Sequence, residues 1–309
     1  MVTDPLTGFK RAFVTGATGI VGVPLCRKLV EMGFEVSAYS RRTTNQILPP
    51  SIDHVMGDIS NLESLAAAAK NSDVIFHLAA AVHGSASTYG GFETVNIGGT
   101  ENVIRVAAQS GAKLVHVSTV NVDGYRRDTL RDSYAETKAR AEEIVLREID
   151  DGVLDAVIIR PATVFGSEYG IAGLLVDRLL AGTLKTLPAP SRQISPVWSE
   201  DLADALIQAA VSGVKREIYT VAGPTMSTGD FVAAVCESAG VRSPIVSIPL
   251  WAFVIPLQIA WWVKRFTRWV PPVSLESARS GSIYDGTRAA TELGFSYTDI
   301  PEIFATVST

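Results

Sequence analysis

From Lys10 to Lys113, short apolar runs alternate with amphipathic stretches: RAFVTG, VPLCRKLVEMG, EVSAYS, LESLAAAAKNS, DVIFHLAA and TENVIRVAAQSG. Brief apolar runs separated by segments of helical period read as buried strands joined by crossover helices, the pattern of βαβ units around a parallel sheet. KLVHVST, the polar alanine-rich run that begins SYAETK, and LDAVIIRP continue the alternation. After Gly166 prolines, scattered aromatics and shorter elements take over. The pattern therefore predicts an α/β chain with one lobe over residues 1–165 and a smaller one over 166–309. VWSEDLADALIQAA is expected to return a strand or helix to the first lobe. No low-complexity linker or internal repeat divides the two.

FVTGATGIVG adds chemistry to the first βα junction. Gly16, Gly19 and Gly22 stand at GxxGxxG spacing between an apolar strand and a helix. Glycines there let the backbone approach a pyrophosphate, and the helix N-terminus offers N–H groups and partial positive charge. With strand and helix on either side, Gly16, Thr18, Gly19, Ile20, Val21 and Gly22 read as a dinucleotide cradle, and the sheet as a doubly wound parallel sheet of the Rossmann type. At the end of the second strand an acidic residue would bind the ribose 2′-hydroxyl of NAD(H). Ser40 stands there instead, followed by Arg41 and Arg42, and two guanidinium forks suit a 2′-phosphate. NADP(H) is favoured over NAD(H).

Composition narrows the partners. The chain has 309 residues, 47% hydrophobic and 19% charged, with a net charge of −5, enough to bury a sizeable core but without a basic field for nucleic acid. Its two cysteines, Cys26 and Cys236, lie far apart with no metal-ligand spacing around them. The opening MVTDPLTGFKR lacks the apolar run of a secretory signal, so a cytoplasmic setting is the expectation.

SYAETK places Tyr134 and Lys138 four positions apart, on one face of a helix. TGATGIVG, GDIS, HLAA, VNIGGTENVIRVAAQSGAKLVHVST, YAETK and IIRPATVFG follow one another as in the extended short-chain dehydrogenase/reductases. Over nearly its whole length the chain resembles that superfamily, including its epimerase/dehydratase and 3β-hydroxysteroid dehydrogenase-like branches. The resemblance implies that Tyr134 gives or takes the proton, that Thr119 orients the substrate oxygen, and that Lys138 tunes Tyr134 and holds the nicotinamide ribose. A phenol titrates near ~10 when unperturbed, so an acid/base working near neutrality needs such a cation beside it. Strand alternation lets only one of Ser118 and Thr119 face the site, and the motif selects Thr119.

The resemblance also assigns Asp58, with Ile59 beside it, to the adenine, and Leu78, Ala79 and Ala80 to the loop under the phosphates. Asn96 falls in a helix behind the site. Pro161, Thr163 and Val164 belong to the segment that touches the nicotinamide amide. Three features depart from the nucleotide-sugar members: Asp123 where a tyrosine is frequent, Thr163 where an asparagine often contacts a diphosphate, and a short charged segment, GYRRDTLRDSY. Arg192 also lies two residues from the place of their diphosphate-gripping arginine.

The expected activity is interconversion of a ketone and a secondary alcohol on an apolar small molecule. Alternatives are a nucleotide-sugar epimerase, dehydratase or reductase, and a non-catalytic cofactor-binding sensor or assembly subunit. PLWAFVIPLQIAWWVKRFTRWV, within residues 249–270, suits a substrate lid, a peripheral membrane contact, or a helix packed between lobes or at a homodimer interface. It is too short and too interrupted by proline to span a bilayer. Of the four histidines, His83 alone falls at the substrate end.

Overall fold

The computed structural model describes residues 9–41, 47–82, 86, 88–128, 130, 132–166, 178–179, 181–238, 240–244, 246–249, 252, 255–256, 258–259, 283–300 and 302–303. They fall into two compact units. The first comprises the chain through Pro161 together with Ser199–Val221 and Thr287–Phe295.

In chain order the first unit contains β1 (Arg11–Thr15), α1 (Gly22–Glu31), β2 (Glu35–Ser40), β3 (Asp53–Met56), α2 (Leu62–Ala68), β4 (Val74–His77), α3 (Tyr89–Phe92), a π-helical turn (Glu93–Gly98) and α4 (Gly99–Ser110). There follow β5 (Lys113–Val117), α5 (Asn121–Arg126), α6 (Ser133–Asp150), β6 (Ala156–Pro161), α7 (Ser199–Ser212), β7 (Ile218–Val221) and α8 (Thr287–Leu293). The seven strands form one sheet in the order β7-β6-β5-β4-β1-β2-β3, every pairing parallel. This is the doubly wound arrangement, and its topological switch lies between β1 and β4.

Parallel strands covered on both faces read as continuous apolar runs, which is why DVIFH and AVIIRP lack alternation. Every residue of β4 and β6 is buried. On one face Phe13, Ile75, Leu114 and Ile158 pack against Leu65, Val103, Ala107, Val145 and Ile149 of α2, α4 and α6. Each fully buried aliphatic side chain of this kind contributes about 1.5–3 kcal/mol. Helices α1, α7 and α8 pack together separately. Lys28 bridges α1 to α7, 2.9 Å from Asp204 and 3.5 Å from Glu200.

Helix α6 starts where Asp132 caps it, its carboxylate accepting from the backbone N–H groups of Tyr134 and Ala135 at 3.4 and 3.2 Å. Such a cap is worth about 1 kcal/mol and fixes which residue opens the helix. The buried face of α6 carries Ala135, Lys138, Ala139, Ala141, Glu142, Val145 and Ile149, so two of its charged residues face the sheet.

The second unit comprises Ala162–Trp198, Ala222–Gly286 and the chain from Ser296. It contains three two-stranded pairs: Val164–Phe165 with Val197–Trp198, Gln193–Ile194 with Met226–Ser227, and Thr186–Pro188 with Val246–Ile248. Phe165, Leu187, Ile300 and Ile303 pack against Phe231, Val232, Val235 and Cys236 of the helix Thr228–Ser238, with Phe165 and Phe231 edge to face at 5.2 Å. Thr163 and Val164 belong to this unit. Most of the tryptophan-rich stretch at 249–270 lies outside the described residues, as do Arg42 and His83. Among the described residues no helix is long and apolar enough to cross a membrane.

Candidate active site

The first junction is built for a close backbone approach. Gly16 leaves β1 at φ +72°, a left-handed conformation open to glycine, and a Cβ there would lie 2.7 Å from the Ala79 backbone nitrogen. At Gly22 a Cβ would stand 2.3 Å from the Gly16 carbonyl oxygen. The loop is therefore folded tightly on itself and against the segment after β4. The first turn of α1 has neither a capping side chain nor an acidic residue, leaving the positive end of its dipole for an anion. These features fit the pyrophosphate of a dinucleotide.

At the end of β2, Ser40 is buried and its Oγ lies 3.0 Å from Nε2 of His54 on β3. Arg41 follows, exposed. Asp58 has its carboxylate on the backbone N–H and hydroxyl of Ser60, at 2.9 and 2.8 Å. Burial pushes that carboxyl up, and the two Ser60 hydrogen bonds with the charge of Arg41 more than reverse it, for a net lowering. Asn102 holds the same loop from α4, donating to the carbonyls of Ile59 at 2.9 Å and Ser60 at 3.2 Å.

The loop after β4 is held as firmly. Thr15 Oγ1 accepts from the Ala79 N–H at 3.2 Å and lies 2.8 Å from His77 Nδ1, while His77 Nε2 reaches Thr100 at 3.0 Å. Asn96 in the π-helical turn accepts from the Ala81 N–H at 2.7 Å and donates to the Ala81 carbonyl at 3.2 Å and to Thr137 at 3.0 Å. One side chain thus ties the loop of Leu78, Ala79 and Ala80 to α6. Asn96 is the buried residue of this π-helical turn, a form frequent at functional sites.

Thr119 and Tyr134 are joined by a side-chain hydrogen bond, and Lys138 lies one turn further along α6. Tyr134 packs its ring 6.4 Å from that of Phe92. Burial pushes its phenol up to about 12; a hydrogen bond with the Thr119 side chain opposes this and Asp132 adds to it. Lys138, 2% exposed, donates to the Val117 carbonyl at 2.7 Å. Burial lowers its ammonium to about 8, with Glu142 opposing. The sequence leads one to expect Lys138 to lower Tyr134. Instead burial dominates, and Thr119 supplies the opposing influence. Ser118 turns away from this group and donates to Glu142 at 2.8 Å.

Glu142 completes a cluster that the motifs do not contain. It lies within 3.0 Å of Arg126, accepts from Arg160 Nε at 2.9 Å and again from Arg160 Nη2, while Arg160 Nη1 reaches Asp123 at 2.7 Å. Asp123, which departs from the nucleotide-sugar pattern, is thereby committed to an ion pair. Behind Lys138 lie His116 and His77, their rings 5.4 Å apart; burial and the lysine charge hold His77 down to about 3 and His116 well below its ordinary range. Both are neutral at physiological pH. Asn102, Glu142 and Arg160 are the positioning residues that motif reading misses, although an arginine inside the apolar run VIIRP signals a buried carboxylate partner.

A profile of the NAD dependent epimerase/dehydratase family matches residues 12–222. A 4-hydroxy-2-methyl-3-oxo-4-farnesyl-3,4-dihydroquinoline-1-oxide ketoreductase from Stigmatella aurantiaca is 26% identical over 78% of this chain and 77% of its own. A 3 beta-hydroxysteroid dehydrogenase/Delta 5-->4-isomerase from Mycobacterium tuberculosis is 28% identical over 78% of this chain and 73% of its own. Among solved structures, gox2253 superposes with a TM-score of 0.80 at 25% identity, covering 96% of each chain.

Proposed function

The chain belongs to the NAD dependent epimerase/dehydratase family, and from that premise we propose that it uses NADP(H) to reduce a ketone on an apolar small molecule to the secondary alcohol. That it is an NAD(P)-dependent oxidoreductase of the extended short-chain dehydrogenase/reductase type follows from the family and from the reductases and dehydrogenases among its relatives. The observation that carries the finer reading is the protonated, half-buried Tyr134, hydrogen-bonded to Thr119, with Lys138 one turn further along the same helix.

A bound nicotinamide cofactor supplies the hydride for the carbonyl carbon. Thr119 donates to the carbonyl oxygen and orients it. Tyr134 then gives that oxygen its proton. Even with its phenol pushed up to about 12, Tyr134 is a stronger acid than an aliphatic alcohol, so the proton moves downhill in the reductive direction. Lys138 is held to β5 through the Val117 carbonyl, one helical turn beyond Tyr134 on α6. The loop after β4, at the switch point, is fixed by Thr15 and Asn96, and the loop after β3 by Asn102, which keeps the cofactor platform in place.

Preference for the phosphorylated cofactor is supported by the absence of a carboxylate at Ser40 and by the following Arg41. Arg41→Ala is expected to weaken NADPH binding by about 10- to 100-fold and to leave NADH within a few-fold, as loss of one charge-assisted contact to the 2′-phosphate would do. Fluorescence titration with both cofactors reads this. Unchanged preference would remove the assignment.

An apolar substrate is supported by the farnesylated and steroid substrates in the relatives' names and by the ion pair that occupies Asp123. The test is NADPH oxidation with purified protein and a panel of apolar ketones, against UDP- and dTDP-sugars. Turnover confined to the sugars would overturn the reading. Reduction is expected to lose rate as pH rises through about 8, because Lys138 is charged below that value and neutral above it. Tyr134 stays protonated throughout. A pH profile of kcat flat from neutrality to well above Lys138's titration would contradict this.

A further inference from the structure

The charged cluster beneath the reacting residues takes no part in the steps above. Glu142 is fully buried, and its carboxylate is shared by Ser118, Arg160 and Arg126, with Asp123 on the far side of Arg160. Replacing such buried ion pairs by apolar residues is often neutral or stabilising, so stability alone does not account for one here. Its placement is the informative feature. Ser118 precedes Thr119 in the chain, and its backbone N–H is bonded to the Ile159 carbonyl at 2.7 Å, next to Arg160. Glu142 sits one helical turn beyond Lys138, which sits one turn beyond Tyr134, all on one face of α6.

We propose that Glu142 is a positioning residue for this reaction, acting on Thr119 through Ser118 and on Lys138 through its negative charge. The first action is mechanical. Ser118 and Arg160 pin the ends of β5 and β6 to α6 through one carboxylate, so the reach from Thr119 to Tyr134 is set by a side chain that touches neither. The second is electrostatic. Lys138 faces Tyr134 and Glu142 on its own helix, neutral His116 on β5 and neutral His77 on β4. Beyond Glu142 stand Arg160 from β6 and Arg126 and Asp123 from α5. Glu142 is the anion that opposes the loss of the lysine's proton, and the two arginines temper it.

The two actions separate experimentally. In Glu142→Gln, Arg160 keeps Asp123 and Arg126 keeps Glu143, 3.9 Å away, but the anion nearest Lys138 is gone, and the titration of Lys138 is expected to fall by roughly one pH unit. Arg126→Gln, at a half-exposed site where folding is safe, relieves Glu142 of one cation and moves it upward. Glu142→Asp keeps the charge and shortens the reach; it leaves the titration in place and lowers kcat about tenfold with the KM for NADPH little changed. Ser118→Ala does the same more weakly. The titration is read from the isotope-labelled lysine Cε resonance, assigned by its loss in Lys138→Arg, and independently from the alkaline limb of kcat.

This inference rests on the proposed reaction for its kinetic arm and is free of it for the resonance. A titration unmoved in folded Glu142→Gln and in Arg126→Gln overturns the electrostatic role. Full kcat in Glu142→Asp and Ser118→Ala overturns the mechanical one. Shifted titrations in a protein that reduces no ketone would sink the proposed reaction and leave the action on Lys138 standing.

Discussion

Tyr134→Phe lowers kcat for ketone reduction by about 10²–10⁴-fold while NADPH affinity stays within a few-fold, the size expected when one positioned proton donor is removed. The expectation follows from geometry. The phenol is the group that Thr119 meets, its ring packs on Phe92, and its proton is held to about 12 by burial. Phe preserves that packing and deletes only the oxygen, so the helix and the glycine loop have no reason to move. Single-turnover kinetics with NADPH in excess separates the loss from any change in binding. Activity within tenfold of the unaltered protein would remove Tyr134 from the proton-transfer role and the proposed mechanism with it.

Gly22→Ala is expected to destabilise the fold by about 1–3 kcal/mol, as overpacking of a tight site does, and to weaken cofactor binding at least tenfold. The added Cβ would stand 2.3 Å from the Gly16 carbonyl oxygen and 2.7 Å from two backbone atoms of Ala17. These are main-chain atoms at the entry to α1, so no rotamer change can relieve the clash. Opening the loop moves the helix N-terminus away from the site of the pyrophosphate, which couples the two losses. Thermal unfolding and a cofactor titration on the same preparation read both. Unaltered melting with full affinity would show that the first turn of α1 does not close on Gly16.

What the sequence discloses depends on how far apart the cooperating residues lie. The glycine loop is contiguous, and Tyr134 and Lys138 are one turn apart, so period and spacing are enough to see them. Strand alternation likewise separates Ser118 from Thr119. The clamps are of another kind. Asn102 reaches Ile59 from 43 positions away, and Glu142 meets Arg160 across 18, partners chosen by the sheet order. Acidity is also hidden from spacing. The pairing of Tyr134 with Lys138 invites a lowered phenol, but desolvation, set by everything packed around the ring, decides the sign. The parallel sheet is legible in its unbroken apolar runs, and the assignment of Asp58 to Ser60 is not, because a turn formed by two neighbouring polar residues leaves no periodic trace.

The sheet of the first unit is finished by residues that come late in the chain: β7 pairs with β6, and Arg288 of α8 holds Glu217 beside it. During synthesis from the N-terminus, β6 emerges nearly sixty residues before its outer neighbour, an interval of several seconds at about 5–20 residues per second. Until then a buried, apolar strand waits as an open edge, the kind of surface that recruits other chains. A fragment ending at Pro161 would hold every residue of the proton-transfer group and still tend to aggregate. Expression as a standalone cofactor-binding module therefore requires a splice that carries Ser199–Val221 along, and the ribosome faces the same requirement each time it makes the protein.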